Sequence, residues 1–64
     1  MSDQDIGRMF AELTALLEDM HGITVEGHRR DATRCERLAL AQGVSDCIER
    51  VNQTLHTIYA ALDA

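Results

Sequence analysis

The chain has 64 residues, of which 45% are hydrophobic and only 3% aromatic, and its formal net charge is −5. This length allows a single domain over residues 1–64, and a core this small usually needs a disulfide, a metal or a partner chain for stability. The negative charge argues against nucleic-acid binding, and no apolar run reaches the ~18 residues of a membrane span.

The first predicted element is an amphipathic helix over about 3–21. Its apolar residues recur at steps of three and four, which places them in one stripe of a helix. They are Ile6, Met9, Phe10, Leu13, Leu16, Leu17 and Met20. Gly22 followed by Ile23 is typical of a Schellman stop, in which the glycine takes the left-handed conformation. We therefore expect the first helix to end near His21.

A second, longer helix is predicted over about 24–62, with Thr24 as its N-cap. Gly27 weakens its first turn, so the helix could instead begin at Asp31. Gly43 leaves an alternative open, because a break there with Ser45 as the next cap would give a three-helix bundle. However, the apolar spacing runs through Gly43 in phase, and an interior glycine costs only ~1 kcal/mol. The favoured fold class is therefore an all-α helical hairpin of one short and one long helix.

The unequal lengths of these two helices predict self-association into a helical bundle. At 1.5 Å per residue the first helix spans ~27 Å, and the second would span nearly twice that. The far half of the long helix would then expose its apolar stripe, and such a stripe generally marks a binding surface. A symmetric dimer is the simplest cover. The predicted interface for a second copy or another protein comprises Leu40, Val44, Cys47, Ile48, Val51, Leu55, Ile58, Tyr59 and Leu62.

The second candidate site is the arginine-rich segment HRRDATRCER, residues 28–37. On a continuous helix Arg30, Arg34 and Arg37 form one row with Arg29 beside it. Guanidinium groups in a row are suited to binding a phosphate or an acidic partner. Acidic side chains three and four positions away offer an alternative, in which the arginines only pair within the molecule.

Metal and catalytic sites are not expected. One polar row recurs at every seventh position and contains His21, His28, Cys35, Gln42, Glu49, His56 and Asp63. Seven residues rise ~10.5 Å along a helix, so neighbours in this row cannot share one zinc ion. Cys35 and Cys47 would lie ~18 Å apart on a continuous helix, too far for a disulfide, and are expected to be free thiols. We expect no cofactor and no enzymatic activity.

The N-terminal MSDQDIG lacks the basic and apolar regions of a secretory signal. We therefore expect the protein in the cytoplasm of a bacterium, or in the host cytoplasm if a phage encodes it. The stretch from Ile48-Glu49 to Ile58-Tyr59 resembles the C-terminal helix of the small hairpin co-chaperones of type III secretion needle subunits. In size and charge the chain also resembles small acidic helical phage proteins that block a host protein.

These observations predict a small non-catalytic protein–protein interaction module that acts as a helical homo-oligomer, with a second copy and an unidentified protein as partners. Its role would be that of an adaptor, an inhibitor or, as the resemblance implies, a secretion-type co-chaperone hairpin. The alternative is a phage-type inhibitor or sponge that binds a small anion such as a nucleotide through Arg30, Arg34 and Arg37. Neither a membrane nor a nucleic acid is an expected partner.

Overall fold

The computed structural model describes residues 2–63, which form two α-helices, α1 (Asp3–Gly27) and α2 (Arg34–Asp63). The helices pack against each other in an antiparallel hairpin with Cα extents of 48 × 15 × 10 Å. The predicted all-α helical hairpin is therefore confirmed. In the part of the chain that is described, neither helix is apolar enough over a sufficient length to cross a membrane.

The start of α1 is fixed by a capping box. The backbone N–H of Asp5 donates to Ser2 Oγ at 3.2 Å, and the backbone N–H of Ser2 donates to Asp5 Oδ2 at 3.4 Å. Asp3 and Asp5 also place negative charge in the first turn, where the helix dipole is positive. These contacts satisfy N–H groups that a helix leaves unpaired at its start.

The predicted end of α1 near Gly22 is wrong, because the helix continues to Gly27. No glycine in residues 2–63 has a positive φ, so Gly22 does not form the expected left-handed stop. Thr24 is helical rather than a cap, and its Oγ1 donates to the carbonyl oxygen of His21 at 2.9 Å. Ile23 packs towards α2 and extends the apolar stripe, and this packing outweighs the ~1 kcal/mol cost of a helical glycine.

The predicted start of the second helix at residue 24 is also wrong, because residues 28–33 form a loop before α2. Thr33 caps α2, since its Oγ1 accepts from the backbone N–H of Glu36 at 3.1 Å and donates to Glu36 Oε1 at 3.1 Å. This is a Thr-x-x-Glu cap, a helix-start signal that can be recognised in a sequence. α2 therefore begins ten residues later than predicted.

α2 runs through Gly43 without interruption, so the three-helix alternative is wrong for the described chain. Gly43 faces α1, and a Cβ atom built on it would lie 3.5 Å from Cδ1 of Ile23. Ile23 of α1 is therefore level with Gly43 of α2, and this pairing defines the register of the hairpin.

Apart from Gly43 and Leu55, the half-buried and buried residues of the two helices follow a heptad repeat. Its alternating steps of three and four define positions a and d, with Ile6 at an a position of α1 and Leu40 at a d position of α2. We call these residues the seam. In α1 the seam comprises Ile6, Met9, Leu13, Leu16, Met20, Ile23 and Gly27, and in α2 it comprises Leu40, Val44, Cys47, Val51, Thr54, Ile58 and Ala61. The hairpin is therefore a two-helix antiparallel coiled coil.

The seam is only partly shielded from solvent. Leu13, Leu16 and Ile58 are buried in it, and Ala32 is buried in the loop. The remaining seam residues are half-buried, and no side chain in residues 2–63 is less than 2% exposed. A pair of helices cannot enclose its own seam, because water reaches it from both broad sides of the hairpin.

Substitution of Gly22 by alanine tests the continuity of α1. Because no atom lies within 4 Å of a Cβ built there, Gly22→Ala should stabilise the protein by about 1 kcal/mol through helix propensity. For a domain of this size that raises Tm by roughly 4–8 °C in thermal denaturation. Ala15→Gly, at an exposed position of the same helix, should lower Tm. A lower Tm for Gly22→Ala would instead indicate a left-handed glycine at a helix end.

Candidate functional site: an uncharged face of the hairpin

The hairpin has two broad faces, one on each side of the seam. In an antiparallel pair, the same heptad letter of both helices falls on the same side. Positions e and b form one broad face, and positions g and c form the other. Between residues 6 and 25 and between residues 38 and 62, no Asp, Glu or Arg occupies an e or b position. We call this surface the uncharged face.

Large apolar side chains are concentrated on the uncharged face. Six of the seven exposed large apolar residues in the described chain occupy its e and b positions, with exposed fractions from 47% to 72%. They are Phe10, Leu17, Leu38, Ile48, Tyr59 and Leu62. Leu55, at another e position, is half-buried beside them. The seventh residue, Val25, is 48% exposed and occupies an f position, which points directly away from α2.

The opposite broad face is rich in charge, and we call it the charged face. Acidic residues occupy every g position of α1, and eight of the 14 Asp, Glu and Arg residues of the two helices lie at g or c positions. The members of the charged face are Asp5, Arg8, Glu12, Asp19, Glu26, Glu36, Asp46 and Arg50. The two faces of one thin hairpin therefore differ sharply in polarity.

The structure divides the nine residues predicted as a partner interface into two groups. Five of them belong to the seam and pack towards α1: Leu40, Val44, Cys47, Val51 and Ile58. The predicted large difference in helix length is wrong, because α1 has 25 residues against 30 in α2 and accompanies it along most of its length. The other four lie on the uncharged face: Ile48, Leu55, Tyr59 and Leu62.

A pocket of about 340 Å³ opens where the hairpin turns. Its walls are mostly apolar and are formed by Ile23, Thr24, Gly27, His28, Arg37, Leu40, Ala41 and Val44. The pocket lies on the e side of the seam, because the e positions at this level carry only the small residues Thr24 and Ala41. We call it the loop-end pocket.

The predicted row of arginines does not form, because Arg30 lies in the loop rather than on a helix. Arg29 is surrounded by three carboxylates: Nη2 lies 2.7 Å from Glu36 Oε2, Nη1 lies 3.2 Å from Glu26 Oε2, and Nε lies 3.7 Å from Asp31 Oδ1. Internal pairing, the alternative left open by the sequence, therefore accounts for Arg29. Anion binding at this segment stays a prediction, but the predicted row of arginines no longer supports it.

Arg37 closes the hairpin. Its Nε donates to the carbonyl oxygen of Gly27 at 3.3 Å, and its Nη2 donates to the carbonyl oxygen of Arg29 at 2.9 Å. Carbonyl groups at the end of a helix lack intrahelical partners, and basic side chains commonly satisfy them. Arg37 therefore ties the start of α2 to the end of α1 and forms one rim of the loop-end pocket.

Cys35 is exposed and Cys47 lies in the seam, and both are free thiols. Within residues 2–63 no three His, Cys, Asp or Glu side chains are grouped closely enough to hold a metal ion. Of the polar row noted at every seventh position, His21 lies at a b position of α1, His28 lies in the loop, and the other five lie at f positions of α2. It forms no continuous surface.

Comparisons with protein-family models, with curated proteins and with solved structures find no match for this chain.

Substitution of Arg37 by alanine should destabilise the hairpin by about 1 kcal/mol, because two solvent-accessible hydrogen bonds are lost, one to the carbonyl of Gly27 at the end of α1 and one to the carbonyl of Arg29 in the loop. Arg34→Ala provides a matched control in the same helical turn and should leave stability nearly unchanged. Urea denaturation of both variants measures the difference. Equal losses for Arg34→Ala and Arg37→Ala would contradict the closing role of Arg37.

Proposed function

We propose that this protein is a small non-catalytic protein–protein interaction module that acts as a homodimer, formed by two hairpins that meet at their uncharged faces. The observation that carries the proposal is the concentration of exposed large apolar side chains on one face, which holds no Asp, Glu or Arg between residues 6 and 25 or between residues 38 and 62. A large exposed apolar surface on a soluble chain generally marks a site of association.

The heptad pattern supports a four-helix bundle. A helix in a two-stranded coiled coil needs apolar residues at a and d only, whereas a bundle helix carries a wider stripe that includes e or g. Both helices of this hairpin have the wider stripe. Phe10 and Leu17 add e positions to α1, and Ile48, Leu55 and Leu62 add them to α2. Each helix therefore has an apolar surface for a second neighbour in addition to its partner in the hairpin.

Size and charge favour a second copy as the occupant. The Cα extents of 48 × 15 Å give the broad face a footprint of about 700 Å², close to the ~800 Å² that each partner contributes to a stable interface. The acidic g positions lie on the opposite face, so two chains of charge −5 can meet without bringing those carboxylates together. A dimer with a twofold axis then buries both uncharged faces in a single interface.

In such a dimer the two charged faces point outward. They are then the surfaces left for another protein, as in an adaptor, an inhibitor or a co-chaperone. In the proposed dimer the loop-end pocket and the seam are buried by packing, and the proposed function includes no catalytic step.

Sedimentation velocity tests the dimer. The wild-type protein should sediment as a dimer at tens of micromolar and dissociate on dilution. Ile48→Glu places a charge in the middle of the uncharged face and should raise the dissociation constant at least tenfold, because a buried unpaired carboxylate is strongly disfavoured. Leu17→Glu should have the same effect from α1.

Val25→Glu is the matched control, because Val25 and Ile48 have nearly equal exposed fractions, 48% and 47%, on different sides of the hairpin. It should dimerise like the wild type. A strictly monomeric wild-type protein at tens of micromolar would overturn the proposal. So would equal weakening by Val25→Glu and Ile48→Glu, since the effect would then be independent of the face.

A further inference from the structure

The uncharged face differs in shape between its two ends. At the loop end the e positions carry Thr24 and Ala41, and the loop-end pocket is open there with a volume of about 340 Å³. At the end that holds the chain termini, Tyr59 and Leu62 stand out with exposed fractions of 61% and 60%. The loop end of the face therefore holds a concave pocket beside the exposed side chain of Leu38, whereas at the other end both Tyr59 and Leu62 project.

We infer that two copies pair head to tail, so that Tyr59 and Leu62 of each copy fill the loop-end pocket of the other. This inference rests on the proposed dimer and adds its orientation and its principal contact. The twofold axis lies across the hairpin, perpendicular to its length, and creates two identical pocket contacts. Each copy thus supplies both the pocket and the residues that fill it, as a twofold interface requires.

The register of the hairpin supports this pairing. Ile23 is level with Gly43, so the centre of the loop-end pocket lies near one end of the 48 Å hairpin. Near the opposite end, Tyr59 and Leu62 lie level with the first two turns of α1. An axis through the middle of the face brings these two levels together. The second twofold arrangement, with both loops at the same end, would place pocket against pocket and leave both empty.

The polar rim of the pocket suits tyrosine. His28 and Arg37 are among the pocket residues, and Arg37 has guanidinium N–H groups beyond the two that bind backbone carbonyls. A tyrosine hydroxyl needs a hydrogen-bond partner when its ring is buried, and these side chains provide one. Leucine beside it needs only the apolar walls of Ile23 and Leu40.

Distance measurement between two spin labels tests the orientation. Cys35 is exposed next to the loop, so it can be labelled in a Cys47→Ala background. In a head-to-tail dimer of 48 Å hairpins the two labels should be about 40 Å apart or more. With both loops at one end they should be roughly 30 Å apart or less, because only neighbouring helix layers separate them.

A second experiment tests the pocket. Ala41→Phe fills the pocket from its own chain and should raise the dissociation constant of the dimer at least tenfold. Ala39→Phe adds the same side chain at an exposed position on the opposite broad face and should leave the constant within about twofold of the wild-type value. Tyr59→Ala should weaken the dimer and Tyr59→Phe should weaken it less, because the ring is kept.

The outcomes separate this inference from the proposed function. A dimer with a short label distance would overturn the head-to-tail arrangement and leave the homodimer intact. A dimer with a long distance in which Ala41→Phe pairs as tightly as Ala39→Phe would overturn the pocket contact. A wild-type protein that stays monomeric in sedimentation would remove the basis of both.

Discussion

The thickness of the molecule constrains everything else in it. Two helices packed side by side form a single layer, and a single layer has no interior. The seam meets the heptad rule at nearly every position, yet only Leu13, Leu16 and Ile58 in the helices are buried. Better side-chain complementarity would not change this, because solvent approaches from both broad sides. More burial requires a second layer, and the uncharged face is the side on which such a layer can pack without removing charges from water.

Much of the fold follows from the sequence, because the apolar residues of the seam recur at steps of three and four that can be read directly from it. The predicted turn at Gly22-Ile23 is wrong for a local reason. These two residues have the composition of a helix stop, but Ile23 belongs to the seam. Its packing beside Gly43 outweighs the helix-stopping tendency of Gly22. The Thr33-x-x-Glu36 cap was the better signal, and it coincides with the gap in the apolar stripe. Local propensity is a weak guide where tertiary packing opposes it.

The candidate surface was only half predictable. Apolar residues at a, d and e form one wide stripe in a sequence, and nothing in the spacing says which of them meets the first neighbour. That depends on the register, which is a long-range property of the hairpin. In the structure Val51 and Ile58 pack in the seam, whereas Ile48 and Leu62 are exposed on the uncharged face. All four belong to the same apolar stripe of the sequence. The arginines show the same limit, because Arg30, Arg34 and Arg37 form one row only on a continuous helix, and residues 28–33 form a loop.

The separation of charge between the two faces also explains how association could stop at two copies. A face-to-face dimer buries both uncharged faces and presents carboxylates at the g positions on its two outer surfaces, including Glu12 and Asp19. A third hairpin would have to bring its own uncharged face against those carboxylates and desolvate them, which is strongly unfavourable. In the proposed dimer, the polarity that favours the first contact opposes a further one, and the acidic outer surface favours solubility. Under this proposal the uncharged face serves assembly and the charged face stays in solvent.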